Sequence, residues 1–152
     1  MSSALITPDQ QRQAVAAEAR SWLGTRYHPH ARIKGVGVDC AQILVGVYHA
    51  AGLVADLDLG DYSIQWHLHR TDEVYLQWLQ ASGAKRLPDG QAPQAGDVGV
   101  WRFGHTFSHG GIVVEGGAVP LIVHAYIRRG VILSRTTDDP LAGRDHCYWS
   151  VI

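Results

Sequence analysis

The chain has 152 residues, of which 46% are apolar and 18% are charged, and this composition fits one compact domain with its own hydrophobic core. The formal net charge of −1 gives no electrostatic basis for binding nucleic acid or an anionic membrane surface. Two cysteines are too few for a disulfide framework. From the length and composition we expect a single domain over residues 1–152.

The N-terminal region has neither the basic segment nor the apolar segment of a signal peptide. No apolar run approaches the length that crosses a bilayer, so we expect no membrane insertion. These features predict synthesis in the cytoplasm, with a separate carrier if the protein reaches the cell exterior.

The first predicted helix has a well-defined start. Thr7, Pro8 and Gln10 form the pattern of an N-cap, an N1 proline and a capping-box partner. The pattern predicts a helix over residues 8–23 that ends at Gly24. The residues expected to face inward are Ala14, Val15, Ala19, Trp22 and Leu23.

Two further helices are predicted in the first half. Proline and glycine residues between positions 25 and 38 indicate a loop before the second helix. That helix should begin at Asp39 or Cys40, run to Gly52 and be buried, because nearly all of its sides are apolar. A third helix is predicted over residues 71–82.

The second half of the chain has the short alternating pattern of β-strands. Five strands are predicted at residues 98–103, 109–115, 120–126, 131–135 and 147–152. Helices followed by an antiparallel sheet indicate an α+β fold, with the N-terminal helices packed on a five-stranded sheet or half-barrel.

A hairpin in this sheet brings two histidines together. If the strands on either side of Gly116-Gly117 pair symmetrically about that turn, His109 lies directly opposite His124. Opposed side chains in a sheet are about 4.5–5.5 Å apart at Cβ, so the imidazoles would be neighbours. The alternative is that both are partly exposed polar residues on an open sheet face.

Cys40 lies where a loop of small residues meets the second helix. The helix N-terminus favours a thiolate there, and its N–H groups can hold the oxyanion of a tetrahedral intermediate. A thiol nucleophile also needs a base and a group that orients the base, and His109 and His124 can fill these roles. The alternative for Cys40 is a small buried hydrophobe, and the same alternative is favoured for Cys147.

Several motif blocks resemble, in order, those of the NlpC-type cell-wall cysteine peptidases, and within that family the small members associated with phage tails. The blocks are Gly24-Thr25-Arg26-Tyr27, Val38-Asp39-Cys40-Ala41, Gln94-Ala95-Gly96-Asp97-Val98-Gly99-Val100-Trp101, Ser108-His109-Gly110-Gly111-Ile112-Val113 and Val123-His124-Ala125-Tyr126. They extend over about residues 10–130.

The resemblance implies a small papain-like fold and hydrolysis of amide bonds in peptidoglycan stem peptides, next to D-glutamate. By this resemblance Cys40 is the nucleophile, His109 the general base and then acid, and His124 the residue that orients His109. Tyr27 and Asp39 match residues that bind substrate in relatives, and the Asp39 carboxylate can equally cap the helix. No cofactor is implied.

The chain departs from the family pattern after the nucleophile. Ala41-Gln42 stands where relatives usually have Ser-Gly, which leaves the stem-peptide specificity open. A cell-wall substrate without an export signal fits an enzyme carried in a phage or phage-like tail, with peptidoglycan and tail-tip proteins as partners. Two alternatives are a structural tail-tip or tail-assembly protein that uses the fold as a docking module, and a cytoplasmic peptidase that recycles wall peptides.

A metal site is the competing interpretation of the other histidines. His28 and His30, with His67 and His69, are two alternating pairs that together contain enough nitrogen atoms for a zinc site. No acidic or cysteine ligand occurs at matching spacing, so we expect no functional metal.

Two nearby residues compete for catalytic roles. His105 is close to His109 in sequence and competes with it as the base. Asp97 is expected to be a turn residue in front of a strand rather than a catalytic acid.

Overall fold

The computed structural model describes residues 6–63 and 72–152. Within them lie three α-helices, α1 (Pro8–Ser21), α2 (Gln42–Ala50) and α3 (Val74–Ala81). The strands are β1 (Arg32–Ile33), β2 (Gly37–Val38), β3 (Lys85–Arg86), β4 (Val98–Phe103), β5 (Thr106–Glu115), β6 (Leu121–Tyr126), β7 (Gly130–Arg135) and β8 (His146–Ser150). No helix in the described part of the chain is long and apolar enough to span a membrane.

The predicted α+β class is confirmed, whereas the predicted number of strands is wrong. The main sheet is antiparallel and has six strands in the order β3-β8-β4-β5-β6-β7, and it is not closed into a barrel. β3 is the additional strand, and β1 and β2 form a separate hairpin inside the predicted loop. Each of these missed strands has two residues, which is too short for an alternating pattern to be visible in the sequence.

Helix α1 begins as its capping pattern predicts. The Thr7 hydroxyl accepts the Gln10 amide at 3.1 Å, and the Gln10 side chain accepts the Thr7 amide at 2.9 Å. Of the residues expected inside, Val15, Ala19 and Trp22 are buried, whereas Ala14 and Leu23 are exposed. The buried face of α1 therefore starts at Val15, one residue later than predicted, and includes Ala16.

A buried ion pair joins α1 to the sheet. The Arg12 guanidinium donates to the Asp97 carboxylate at 2.8 Å and to the Ala95 carbonyl at 3.0 Å. Asp97 also accepts the Gln94 amide at 2.9 Å. Asp97 is therefore the turn residue in front of β4 that the sequence predicts.

The other two helices are shorter than predicted. α2 has helical residues from Gln42, although the Ile43 amide already bonds to the Asp39 carbonyl at 3.1 Å. The third predicted helix covers residues 71–82; α3 begins at Val74, and residue 71 lies outside the described residues. It ends before Gly83, as predicted, where a φ of 90° requires left-handed backbone.

The sheet packs on both faces, and its two faces have different roles. One face lies against the helices, where buried residues of α1 and α2 meet Val98, Val100, Ile112 and Val123 in the main core. The other face carries a smaller cluster of Trp101, Val113, Ile122 and Leu141. Because side chains alternate along a strand, His109 and His124 share this second face.

The predicted hairpin register is wrong by two residues. Ile112 pairs with Val123 and Val113 with Ile122, and a bulge follows before Glu115. The turn is longer than Gly116-Gly117 because this segment is held elsewhere: the Gly117 amide donates to the Pro93 carbonyl at 3.0 Å. A shift of two residues keeps every side chain on its predicted face, so the histidines remain close.

Candidate active site

Asp39 sets the start of the helix that carries Cys40. Its Oδ1 accepts the backbone amides of Ala41 at 3.0 Å and Gln42 at 2.8 Å, which are otherwise unpaired donors of the first helical turn. The carboxylate thus caps the helix, which was one of its two expected roles. It fixes the backbone immediately after Cys40.

The second carboxylate oxygen of Asp39 is also occupied. Oδ2 accepts the His30 amide at 2.8 Å and the Tyr62 hydroxyl at 2.5 Å. Asp39 is 1% exposed, so a substrate amine would have to displace one of these donors to reach it. The substrate-binding role of Asp39 stays a prediction.

The Cys40 thiol lies against the backbone of β5. Its Sγ donates to the Ser108 carbonyl at 3.7 Å, and the Tyr75 hydroxyl of α3 donates to the Cys40 carbonyl at 2.8 Å. A Cβ added to Gly110 would overlap the Tyr75 hydroxyl, so the missing side chain at that position allows the close approach. Contacts from α3 and β5 therefore locate this cysteine.

The protonation of Cys40 differs from the expectation. Burial raises the pKa of the Cys40 thiol, and the neighbouring Asp39 carboxylate raises it further. Backbone hydrogen bonds from Gly110 and from Cys40 itself act in the opposite direction, without reversing the balance. The expected net lowering by the helix N-terminus is wrong, and Cys40 is a neutral thiol at rest.

The two predicted histidines form a direct hydrogen bond. His109 Nε2 and His124 Nδ1 are 2.8 Å apart, and the ring centroids are separated by 5.0 Å at an interplanar angle of 84°. Gly111 makes room for this contact, because a Cβ there would lie 2.5 Å from Ile122 Cγ2 and 3.0 Å from His124 Cβ. The predicted pairing of the histidines is confirmed, although it is diagonal rather than directly opposed.

Sequence reasoning missed Ser134, which extends the hydrogen-bonded histidine pair by one more side chain. The second nitrogen of His124, Nε2, is 2.8 Å from the Ser134 hydroxyl on β7. His124 and Ser134 are both buried, with 0% and 3% exposure. The available signal was a single serine within an otherwise apolar stretch of a strand.

The surroundings of the histidines are aromatic and apolar. Trp101 pairs with His109 across β4 and β5, and the rings of Phe103 and Tyr126 lie 5.1 and 5.7 Å from the His109 ring. Burial lowers the pKa of His109 well below its usual value, and the charge of His124 lowers it further. Burial and then the Arg129 charge lower the pKa of His124 to about 4, so both rings are neutral near pH 7.

The structure brings Cys40 to the strand that carries His109 but not into a hydrogen bond with it. The sulfur contacts Ser108, the residue immediately before His109, from the helix side of the sheet. The hydrogen bond to His124 uses His109 Nε2, so Nδ1 is the ring nitrogen that this contact leaves unused. The three predicted residues thus form a histidine pair with a thiol beside it.

Tyr27, the other expected substrate-binding residue, forms an isolated β-bridge with Val38, and its role stays a prediction. Its segment runs beside the chain that leads to Cys40: the His28 amide donates to the Val38 carbonyl, and the Val38 amide to the Arg26 carbonyl, both at 3.0 Å. Burial raises the pKa of Tyr27, and the charges of Cys40 and Asp39 raise it further.

A cluster of polar and aromatic side chains lies beside Asp39. Gln42 Nε2 donates to the Tyr62 hydroxyl at 3.1 Å, and the Tyr62 ring lies 4.4 Å from that of His30. His30 has a φ of 65°, an unusual backbone conformation for histidine, stabilised by its amide bond to Asp39. His30 and Gln42, whose backbone amides both bond to Asp39, line an open cavity of about 380 Å³, and sequence reasoning did not identify this cavity.

The competing candidates lie elsewhere. His105 is exposed in the turn between β4 and β5, and Cys147 is buried in β8, where the Trp149 indole donates to its sulfur at 3.4 Å. Among the described residues no group of three or more His, Cys, Asp or Glu side chains is arranged to hold a metal ion. His67 and His69 lie outside the described residues.

Comparison of the sequence with protein-family models and with curated proteins finds no match. The resemblance to the NlpC-type peptidases therefore rests on the motif blocks of the sequence. The histidine pair and the position of Cys40 are findings that do not depend on it.

Proposed function

We propose that the protein is a cysteine endopeptidase that hydrolyses amide bonds in peptidoglycan stem peptides. The observation that carries the proposal is the buried pair of His109 and His124, with 2.8 Å between nitrogens, of which His109 lies on β5, the strand whose backbone contacts the Cys40 thiol. A thiol, a neutral imidazole and a hydrogen-bonded orienting group are the parts that acyl transfer through a cysteine needs. The papain-like relationship of the fold is part of this proposal.

In the first step His109 acts as the general base. This step requires the thiol to leave the Ser108 carbonyl and come within hydrogen-bond reach of His109 Nδ1, since the two side chains form no hydrogen bond at rest. The thiol then gives its proton to Nδ1, while His109 Nε2 stays bonded to His124. The sulfur attacks the substrate carbonyl carbon, and the π electrons move to oxygen to form a tetrahedral oxyanion. Asp39 takes the amides of Ala41 and Gln42, so the Cys40 amide is the first-turn donor left for this oxyanion.

In the second step the imidazolium acts as an acid. His109 Nδ1–H protonates the leaving nitrogen as the C–N bond breaks, which leaves a thioester on Cys40. His109 then takes a proton from water, hydroxide adds to the thioester, and the proton returns to sulfur as the carboxylic acid departs. The neutral resting states of Cys40 and His109 require general-base activation rather than a preformed thiolate–imidazolium pair.

The choice of substrate rests on the motif blocks around Tyr27, Asp39 and Cys40, which resemble those of the NlpC-type enzymes. By that resemblance the scissile bond lies next to D-glutamate. The cavity beside His30 and Gln42 is the candidate for holding the adjoining stem-peptide residue. A phage or phage-like tail would deliver such an enzyme to the wall, and peptide recycling in the cytoplasm is the alternative setting.

A second candidate is a docking module of a phage tail tip that uses the same fold without catalysis. The hydrogen bond of the Cys40 thiol to a backbone carbonyl, together with its raised pKa, favours this alternative. In that case Cys40 would be a packing residue, and binding to tail-tip proteins would be the function.

Digestion of muropeptides separates the two candidates. Wild-type protein, Cys40→Ala and Cys147→Ala are incubated with purified muropeptides, and the products are identified by mass spectrometry. The peptidase proposal expects new peptide termini with wild type and with Cys147→Ala, but not with Cys40→Ala. Identical products from wild type and Cys40→Ala would refute it.

A further inference from the structure

The hydrogen bonds of the histidine pair continue beyond His124 to a third side chain, Ser134. His124 Nε2 lies 2.8 Å from the Ser134 hydroxyl, so three side chains from three adjacent strands form a continuous hydrogen-bonded chain. All three are buried, with exposed fractions of 6% for His109, 0% for His124 and 3% for Ser134. A buried polar group without a hydrogen-bond partner is costly, so both contacts should be true hydrogen bonds with one donor and one acceptor each.

The hydrogen-bonded series His109–His124–Ser134 allows only two arrangements of protons while both rings are neutral. A neutral imidazole has one N–H and one bare nitrogen. If His124 carries its proton on Nε2, its bare Nδ1 accepts from His109 Nε2–H. If His124 carries its proton on Nδ1, His109 Nε2 must be bare and Nδ1 protonated. The two histidines therefore always share the same tautomer.

Only one of these arrangements permits His109 to act as a base toward a thiol. With both histidines protonated on Nε2, His109 Nδ1 is bare and can accept the Cys40 proton. With both protonated on Nδ1, that nitrogen already carries a hydrogen. The last partner, the Ser134 hydroxyl, accepts a hydrogen bond in the first arrangement and donates one in the second, and only the first is compatible with His109 as the base.

We propose that Ser134 is a positioning residue whose hydroxyl accepts from His124 Nε2–H and so keeps both histidines protonated on Nε2. Ser134 thereby leaves His109 Nδ1 bare. Its consequence for catalysis rests on the proposed peptidase function, whereas its consequence for the histidine tautomers does not. Ser134 acts through His124 and touches no reacting atom.

The first test reads the tautomers directly. Nitrogen-15 NMR of imidazole-labelled protein distinguishes protonated from bare ring nitrogens in wild type and in Ser134→Ala. We expect Nε2–H on both His109 and His124 in wild type, and loss of that single pattern at His124 in Ser134→Ala. Nδ1–H on both rings of the wild type, or the same pattern in Ser134→Ala as in wild type, would overturn the proposal.

A matched pair of variants separates the hydroxyl from the packing. Ser134→Thr keeps the hydroxyl and Ser134→Val replaces it with a methyl group of the same shape, and β7 is a strand that accommodates branched side chains. Thr is expected to keep the wild-type tautomers and Val to lose them. Equal spectra of the two variants would show that the hydroxyl has no such role. Ser134→Ala, which adds no atoms, supplies the same comparison if both branched variants fail to fold.

Kinetics on muropeptides test the catalytic consequence. Loss of one hydrogen bond that orients the base predicts a kcat about tenfold lower in Ser134→Ala, with KM little changed. Cleavage by Ser134→Ala at the wild-type rate would overturn the catalytic role of Ser134 even if the peptidase function holds. Absence of cleavage by wild type, together with the expected tautomer change, would instead refute the peptidase proposal and leave the tautomer assignment standing.

Discussion

Replacement of Asp39 should be among the most destabilising single changes in this domain. The carboxylate accepts two amides of the first turn of α2 through Oδ1, and the His30 amide and Tyr62 hydroxyl through Oδ2. Asp39→Ala loses the helix cap, at about 1 kcal/mol, and both bonds at Oδ2, at about 1.5 kcal/mol each. The expected loss in the free energy of unfolding is therefore about 4 kcal/mol.

Asp39→Asn is the graded variant in this experiment. An amide keeps a carbonyl oxygen for the helix cap but turns an N–H toward the His30 N–H, so only part of the network is lost. We expect a loss of about 1–2 kcal/mol for this variant. Asp58→Ala is the control, because Asp58 is exposed and accepts one turn amide, from Gly60 at 2.9 Å. It should change stability by less than about 0.5 kcal/mol.

Urea unfolding of the three variants measures these free energies. If Asp39→Ala is no more destabilised than Asp58→Ala, the carboxylate does not hold the helix start and the cap argument fails. If Asp39→Asn costs as much as Asp39→Ala, the loss comes from the buried charge and not from the individual hydrogen bonds.

Three further predictions concern protonation and packing. Because burial raises the pKa of Cys40, iodoacetamide should label this thiol slowly at pH 6 and faster as the pH rises. Mass spectrometry of the Cys147→Ala variant follows the labelling of Cys40 alone. Rapid labelling at pH 6 would contradict the neutral thiol. The pKa of His124 falls to about 4 on folding, so its contribution of about 3 kcal/mol is complete above pH 6.5 and is lost as the pH falls toward 4. Urea unfolding at several pH values should therefore show a shallower acid dependence for His124→Gln, and an unchanged slope would argue against this linkage. Gly110→Ala should lower the free energy of unfolding by about 1–3 kcal/mol, because the added Cβ forces the Tyr75 hydroxyl away. In a double-mutant cycle, Tyr75→Phe should relieve part of that loss. Strictly additive losses in the free energy of unfolding would exclude the contact.

Sequence reasoning succeeds here where a pattern is local. The start of α1 follows from a capping box that lies within four residues of chain, and the five longer strands follow from alternation. The hairpin register depends on a distant contact, the Gly117 amide with the Pro93 carbonyl, and was wrong by two residues. Side chains on the same face of a strand recur every two residues, so a register shift of two still leaves His109 and His124 on the same face and close together.

The parts of the site that sequence reasoning missed arise from tertiary packing. Ser134 meets His124 only because β6 and β7 are adjacent, and a lone serine in an apolar segment does not by itself identify its partner. The pKa of Cys40 was predicted in the wrong direction because the helix end acts locally, whereas burial depends on how α3 and β5 enclose the thiol. The four bonds to Asp39 likewise come from three separate segments of the chain.

The contact between His109 Nε2 and His124 Nδ1 also limits how much acid the pair can store. At 2.8 Å there is room for one hydrogen between the two nitrogens. When His109 takes up a proton on Nδ1, His124 must stay neutral, because its Nδ1 is still the acceptor. A second proton would set N–H against N–H and break this hydrogen bond. The pair can therefore hold one additional proton, which is the number that the proposed acylation step requires.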